Sequence, residues 1–158
     1  MTKSTKINFQ HRKIRRLDDI TDWVEILFTG NRNQQHAAAR ILLALKETGD
    51  LVPRLSFLEE RYGISRRTLE RTRAKLTRLG LIEHMTWMNS RYHGREGWIL
   101  STRMSSALRS LADTLDQWAE DAEPRRMEKE KSLVNLLEAM MDPGKCPPSR
   151  SRNIPKQS

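Results

Sequence analysis

From Tyr62 to Ile82 the chain reads YGISRRTLERTRAKLTRLGLI, and this stretch constrains the fold more than any other. Gly63 ends what precedes it and Ser65 is an N-cap residue. Leu69, Thr72, Leu76 and Leu79 then recur at spacings of three and four, which predicts an amphipathic helix over 65–79. Those four residues form its inner face. At about 100° per residue, Arg67, Glu70, Arg71, Ala74 and Arg78 fall on the opposite side, with Arg66 and Lys75 flanking them. Residues 61–80 hold seven Lys/Arg and one acid, so the outward surface is either a well-solvated helix face or a surface shaped to meet a polyanion.

Charge along the rest of the chain favours the polyanion. The 158 residues carry 29 Lys+Arg and 20 Asp+Glu, a formal +9 with a pI near 10.2. Such a balance calls for an anionic partner, nucleic acid first and an acidic membrane surface second. The excess is segregated. Residues 1–16 carry +6 and 61–80 another +6, 142–158 carry +3, and 17–60 sum to −4. A chain that was basic only for solubility does not need such blocks. The length suits one compact domain with appendages.

The single cysteine, Cys146, excludes an internal disulfide framework or a cysteine-based zinc site. His11, His36, His84 and His93 show no metal-ligand spacing. No Gly-rich phosphate loop, paired carboxylates or nucleophile in a recognisable setting is present, so neither enzymatic activity nor a cofactor is expected. The basic start MTKSTKINFQHRKIRR has no apolar core, and no stretch approaches the ~18 apolar residues of a spanning helix. A soluble, cytoplasmic protein without a membrane partner is the expectation.

Ahead of the basic helix, Asp18 or Asp19 caps a helix with Ile20, Trp23, Val24, Leu27 and Phe28 on one stripe, ended near Gly30. A second helix is predicted over 33–48, with Ala38, Ile41, Leu42 and Leu45 inward and Gly49 closing it. Residues 50–53 read as a connector. Ser56 and Glu59 form a capping-box pattern at the start of a short helix with Leu55, Leu58 and Tyr62 inward. After Gly80-Leu81-Ile82, the stretches EHMTWMNSR and WILS flank the polar tip YHGREG, which predicts a β-hairpin. Trp87 and Trp98, on opposite arms, read as core or cross-strand packing. From Ser101, the residues Met104, Leu108, Leu111, Leu115 and Trp118 make a narrow stripe typical of a helix that packs along another. Beyond Pro124 a further helix carries Leu133, Val134, Leu136, Leu137, Met140 and Met141. The Pro/Ser-rich tail after it is expected to be disordered. The predicted organisation is a basic flexible arm (1–17), a DNA-binding domain (18–101), a helical dimerisation region (102–141) and a disordered basic tail (142–158).

Helix, helix, turn, basic helix, hairpin, long helix is the order of a winged helix-turn-helix, mainly α with a small β-hairpin wing. GDLVPRLSFLEERYGISRRTLERTRAKLTRLGLIEH resembles the DNA-binding half of GntR-type regulators. The likeness lies in Gly49 and Pro53 at the entry, Gly63-Ile64-Ser65-Arg66 at the turn, and Leu76, Leu79, Gly80, Leu81 and Ile82 leading into the wing. MarR- and PadR-type regulators share much of this pattern. The wing is longer and more polar than the compact GntR wing. Too little chain follows it for the large ligand-binding domain of most members, and the C-terminal helices look like short dimerisation tails.

A major groove admits one α-helix, and arginine meets guanine with two hydrogen bonds, each such pair contributing about 1–3 kcal/mol of discrimination. The expected DNA-contacting set is Ser65, Arg66, Arg67, Thr68, Glu70, Arg71, Ala74, Lys75 and Arg78, with Arg91 and Arg95 from the wing. Arg67 and Arg71 are the candidate base readers. Arg66, Arg73, Lys75 and Arg78 are the candidate phosphate contacts, although Arg73 lies nearer the inner edge and snorkelling is its other use. Glu70 either accepts from cytosine or pairs with a neighbouring arginine. The expected dimerisation set is Met104, Leu108, Leu111, Leu115 and Trp118, holding two recognition helices about one DNA turn (~34 Å) apart. Packing on the Trp23/Phe28 helix is the competing use of that stripe. The implied function is a homodimeric transcriptional regulator on a pseudo-palindromic double-stranded site. A replication or partition protein of a plasmid or other mobile element is the alternative within DNA binding, and a protein-binding winged-helix adaptor is the alternative outside it.

Overall fold

The computed structural model describes residues 7, 9–88, 90–121 and 123–141. The expected tail 142–158 and the start of the arm therefore lie outside the described residues. Among those described, the chain is mainly α with one small antiparallel hairpin. The order is α1 (His11–Ile14), α2 (Ile20–Leu27), α3 (Arg32–Thr48), α4 (Phe57–Tyr62), α5 (Arg66–Arg78), β1 (Ile82–Met85), β2 (Gly97–Leu100), α6 (Arg103–Glu120) and α7 (Pro124–Met141). Helix, turn, basic helix and hairpin thus follow in an order compatible with a winged helix. The chain divides into two compact units, Met1–Ser110 and Leu111–Ser158, and the boundary falls inside α6.

Caps set the helix starts. The Asp19 carboxylate accepts from the N–H groups of Thr21 and Asp22 at 2.7 and 3.1 Å, and Asn31 Oδ1 accepts from Gln34 N–H at 3.1 Å. Ser65 Oγ accepts from Thr68 N–H at 3.2 Å. Each cap satisfies amides that the first helical turn leaves unpaired. α3 and α4 end at Gly49 and Gly63, whose φ of +61° and +64° lies where a side chain is strained. Ser56 makes no side-chain cap bond to α4, so the capping box with Glu59 does not form. In the basic arm, α1 gives one helical turn and Ile7 packs against the core.

The interior of the first unit is built on α3. Ala37, Ala38 and Ile41 are fully buried, and α3 touches α2, α5 and β2. Leu27 and Phe28 at the end of α2, Leu58 of α4 and Leu76 of α5 complete this interior. Thr72 of α5 is also fully buried, and its Oγ1 has no hydrogen-bond partner among the described residues.

The hairpin pairs Ile82 with Leu100, Glu83 with Ile99, His84 with Trp98 and Met85 with Gly97. Its strands are shorter than the sequence suggests, because β1 stops at Met85 and a 3-10 turn occupies Ser90–Tyr92. Residues 50–53, read as a plain connector, supply a third strand position. Val52 exchanges two backbone hydrogen bonds with Trp98, at 2.9 and 2.8 Å. Gly97 stands beside this crossing, where a Cβ would lie 2.3 Å from Leu51 Cδ2 and 2.5 Å from the Val52 carbonyl oxygen. Trp98 packs against the core as expected. Trp87 does not. It lies past the end of β1, beyond the reach of the core, and is 66% exposed.

Two substitutions test this packing. Thr72→Val removes an unpaired buried hydroxyl at nearly constant shape and should raise stability by about 1 kcal/mol. Gly97→Ala forces methyl into backbone and should lower it by about 2–3 kcal/mol. Urea unfolding of each variant, with the slope checked for constancy, reads both effects.

Candidate nucleic-acid interface

Burial of Leu69 and Leu76, 3% and 0% exposed, fixes the rotation of α5 about its own axis. The opposite side is thereby committed to solvent. Arg67, Arg71, Ala74 and Arg78 are all exposed, and at about 100° per residue they lie within about 60° of one another. At ~1.5 Å per residue the row from Arg67 to Arg78 is about 16 Å long. Among the described residues, neither Arg67 nor Arg71 has a hydrogen-bond or ion-pair partner. The long guanidinium groups are therefore available to an anion outside the chain.

The neighbouring groups are engaged locally. Arg66 Nε donates to Glu70 Oε1 at 3.0 Å, an exposed i,i+4 pair, and this bond raises the guanidinium pKa above its ordinary value. Of the two uses of Glu70, the structure contains the pairing. The Ser65 hydroxyl donates to Thr68 Oγ1 at 2.8 Å while accepting from Thr68 N–H, so these two residues form the cap. The guanidinium of half-buried Arg73 lies 5.0 Å from the Trp98 ring centroid, which is the snorkelling use of that residue.

Lys75 requires a correction. It stands at the edge of the outward arc in the sequence but is only 9% exposed in the structure. Its Nζ donates to the carbonyl oxygen of Leu27 and sits 4.3 Å from the Phe28 ring centroid. The reason is geometric. The C-terminal end of α2 comes alongside α5 and offers a bare carbonyl and an aromatic face, both favourable to a cation. Burial pushes the Lys75 pKa down, with Arg78 adding repulsion. Lys75 is thus a fastener between α5 and α2 and is absent from the outward surface.

In the wing, Arg91 is exposed, its guanidinium 5.8 Å from the Tyr92 ring centroid. Arg95 is paired. Its two terminal nitrogens donate to the Asp50 carboxylate at 3.0 and 3.4 Å, across 45 residues of chain. The Asp50 carboxyl is held below its ordinary pKa, first by the Leu51 amide and then by Arg95. Arg95 therefore fastens the wing to the end of α3. Trp87 and Met88, which sequence reasoning did not place in any interface, are 66% and 77% exposed. The inward reading was of Trp87 alone, and its exposure follows from the early end of β1. Arg40 and Arg61 also escaped notice, their guanidinium groups 4.1 and 5.5 Å from the Tyr62 ring centroid.

The stripe on α6 is divided. Met104 and Leu108 are half-buried and share an apolar groove of about 620 Å³ with Trp23 of α2 and Leu42 of α3, all within the first unit. In the second unit Leu111, Leu115 and Trp118 are 54%, 55% and 58% exposed. Phe28, the other expected packing partner, is instead in the core. Among the described residues no His, Cys, Asp and Glu are grouped in threes as a metal would need, and no helix is long and apolar enough to cross a membrane.

Lys75→Ala should destabilise the protein by about 1–3 kcal/mol by leaving the Leu27 carbonyl unpaired, and Lys75→Met by less because it keeps the packed stem. The pH dependence has a definite sign. With its folded pKa lowered below the ordinary 10.5, Lys75 binds fewer protons folded than unfolded as pH rises through that window. Wild-type stability should therefore increase relative to Lys75→Met between the lowered value and 10.5, as chemical denaturation at a series of alkaline pH values would measure.

Comparison of the chain with protein-family models, with curated proteins and with solved structures finds no match in any of the three.

Proposed function

We propose that this protein binds double-stranded DNA sequence-specifically, as a homodimeric transcriptional regulator that lays α5 in the major groove of each half of a pseudo-palindromic site. The observation that carries this is the row of exposed arginines on α5, with Arg67 and Arg71 unpartnered among the described residues on a helix whose rotation the core fixes. A flexible cationic tail would bind any polyanion. A cationic row on a seated helix suits a groove, because the partner must present base edges at fixed spacing. Ser65 leaves the first amides of α5 at the same end as Arg67, a favourable place for a phosphate. Arg78 at the far end supplies a positioning contact, and Arg91 in the wing supplies another. Exposure of Leu111, Leu115 and Trp118 supports the second copy, since apolar groups spaced along one helix face favour another helix over water.

Binding should weaken with salt, each phosphate contact contributing about −0.9 to the log–log slope. Arg78→Ala should reduce that slope by about one contact while affecting all sequences alike. Lys75→Met should leave it unchanged, since that amine is turned inward. Arg67→Ala and Arg71→Ala should each lose about 1–3 kcal/mol of preference for the best site over scrambled DNA. Fluorescence anisotropy on duplexes selected from bound genomic fragments measures all four. A salt-independent response, or the absence of duplex binding, would favour the protein-binding adaptor.

A further inference from the structure

Besides the arginine row of α5, two further guanidinium groups of the first unit gather on one ring. That of Arg40 on α3 lies 4.1 Å from the Tyr62 ring centroid, and that of Arg61 on α4 lies 5.5 Å from it. Tyr62 is half-buried and packs against the core, so the ring is seated and holds both cations in place. A guanidinium drawn to a ring face keeps N–H donors at its edge, the form that grips a phosphate. Arg40 Nε donates to His36 Nε2 at 3.4 Å, and neither arginine has an ion-pair partner among the described residues. The three carboxylates of α3 and α4 do not cancel the pair. At about 100° per residue, Glu59 and Glu60 stand about 130° from the middle of the arc that holds Phe57, Leu58, Arg61 and Tyr62. Glu59 lines a separate cleft with Arg66. Glu47 lines the same small cavity as Arg40 and Arg61 but stands about 10 Å further along α3 than Arg40. Two cations against one unpaired carboxylate leave a positive excess.

We propose that Arg40 and Arg61, arranged about Tyr62, form a second phosphate-contacting site that holds the backbone of the duplex outside the stretch read by α5. This rests on the duplex-binding part of the proposed function and adds a surface to it. Two like charges on one ring repel each other, and closely spaced phosphates on one strand relieve both at once. An acidic peptide offers the same charge. Continuity with the arginine row favours the phosphodiester strand. Arg61 and Arg67 are six residues apart in the chain, so their Cα atoms are separated by at most about 21 Å, less than the ~34 Å of one duplex turn. α4 also borders α5 directly, because Ser56 and Glu59 share a cleft with Arg66, Leu69, Glu70 and Arg73. The row and the cluster therefore fit within one turn of one duplex. Contacts of this kind position the protein without reading sequence.

The test uses the full chain as wild type, Arg40→Gln and Arg61→Gln, on the best duplex with single phosphates replaced in turn by uncharged methylphosphonates. Anisotropy gives the affinity for each. For wild type, at least one replacement outside the bases whose preference depends on Arg67 and Arg71 should weaken binding several-fold. In Arg40→Gln or Arg61→Gln the same replacement should have little further effect, because the charge it removes has already lost its partner. Each variant should also lower the salt slope by about 0.9 and keep the preference for the best site over scrambled DNA. Arg61 is exposed and glutamine keeps much of the Arg40 stem, so both variants should keep the urea midpoint of the wild type. Flanking phosphates coupled to neither arginine would overturn the proposal, as would unchanged salt slopes in both variants. Unchanged DNA binding together with weakened binding of poly-glutamate by the variants would overturn it in favour of an acidic protein partner. If wild type binds no duplex, the proposed function fails and this site fails with it. Duplex binding that is indifferent to both arginines removes this site alone.

Discussion

Ala37 and Ala38, both fully buried, allow α3 to come close to its neighbours, and the rest of the first unit depends on that approach. A larger side chain at either position would hold α2 and α5 away from the Ile41 layer and open space that only a repacked core could fill. With α3 placed, Leu69 and Leu76 have one direction in which to be buried. The arginine row of α5 follows from that seating. Lys75 adds a polar fastener where the apolar contacts end, reaching the last carbonyl of α2. The amine satisfies a buried carbonyl that would otherwise be left unpaired, so one lysine ties the two helices together.

The local parts of this architecture were legible in the sequence because local rules determine them. Caps at Asp19 and Ser65, left-handed glycines at 49 and 63, and the spacing Leu69, Thr72, Leu76, Leu79 place α2, α3 and α5 to within a residue or two. The features that were not legible join residues far apart in the chain. Lys75 meets Leu27 across 48 residues, and Arg95 meets Asp50 across 45. Helical periodicity assigns a side chain to a face but carries no information on what another helix brings to that face. Val52 was missed for the same reason, since one residue in a strand pairing leaves no pattern. Trp87 misled in the other direction. A tryptophan near a strand reads as core, and its exposure follows from where β1 stops.

α6 combines two environments in one continuous helix. Its first turns face the groove of the first unit, and its later turns belong to the second unit, where the same stripe meets solvent. A regular spacing of three and four residues serves both uses without any change in the sequence pattern. This explains why the choice between internal packing and self-association stayed open when only the periodicity was considered. A substitution at Leu108 therefore acts on the groove of the first unit, while one at Leu115 acts on a solvent-exposed position of the second.

The base of the wing is fastened three times within a few residues, by the Val52–Trp98 hydrogen bonds, by the absence of a side chain at Gly97 and by the Asp50–Arg95 pair. Register at the base is therefore fixed, since a shift of one residue would bring a side chain against the Val52 carbonyl. Among the described residues between Met85 and Arg95, none pairs with Val52 or with β2. Length in that interval is independent of the core, and surface loops of this kind accept insertions and deletions far more readily than the elements they join. Over evolutionary time the fold can thus be inherited unchanged while the wing tip lengthens, shortens or changes chemistry. Related chains would then be expected to differ first in that interval and last at position 97.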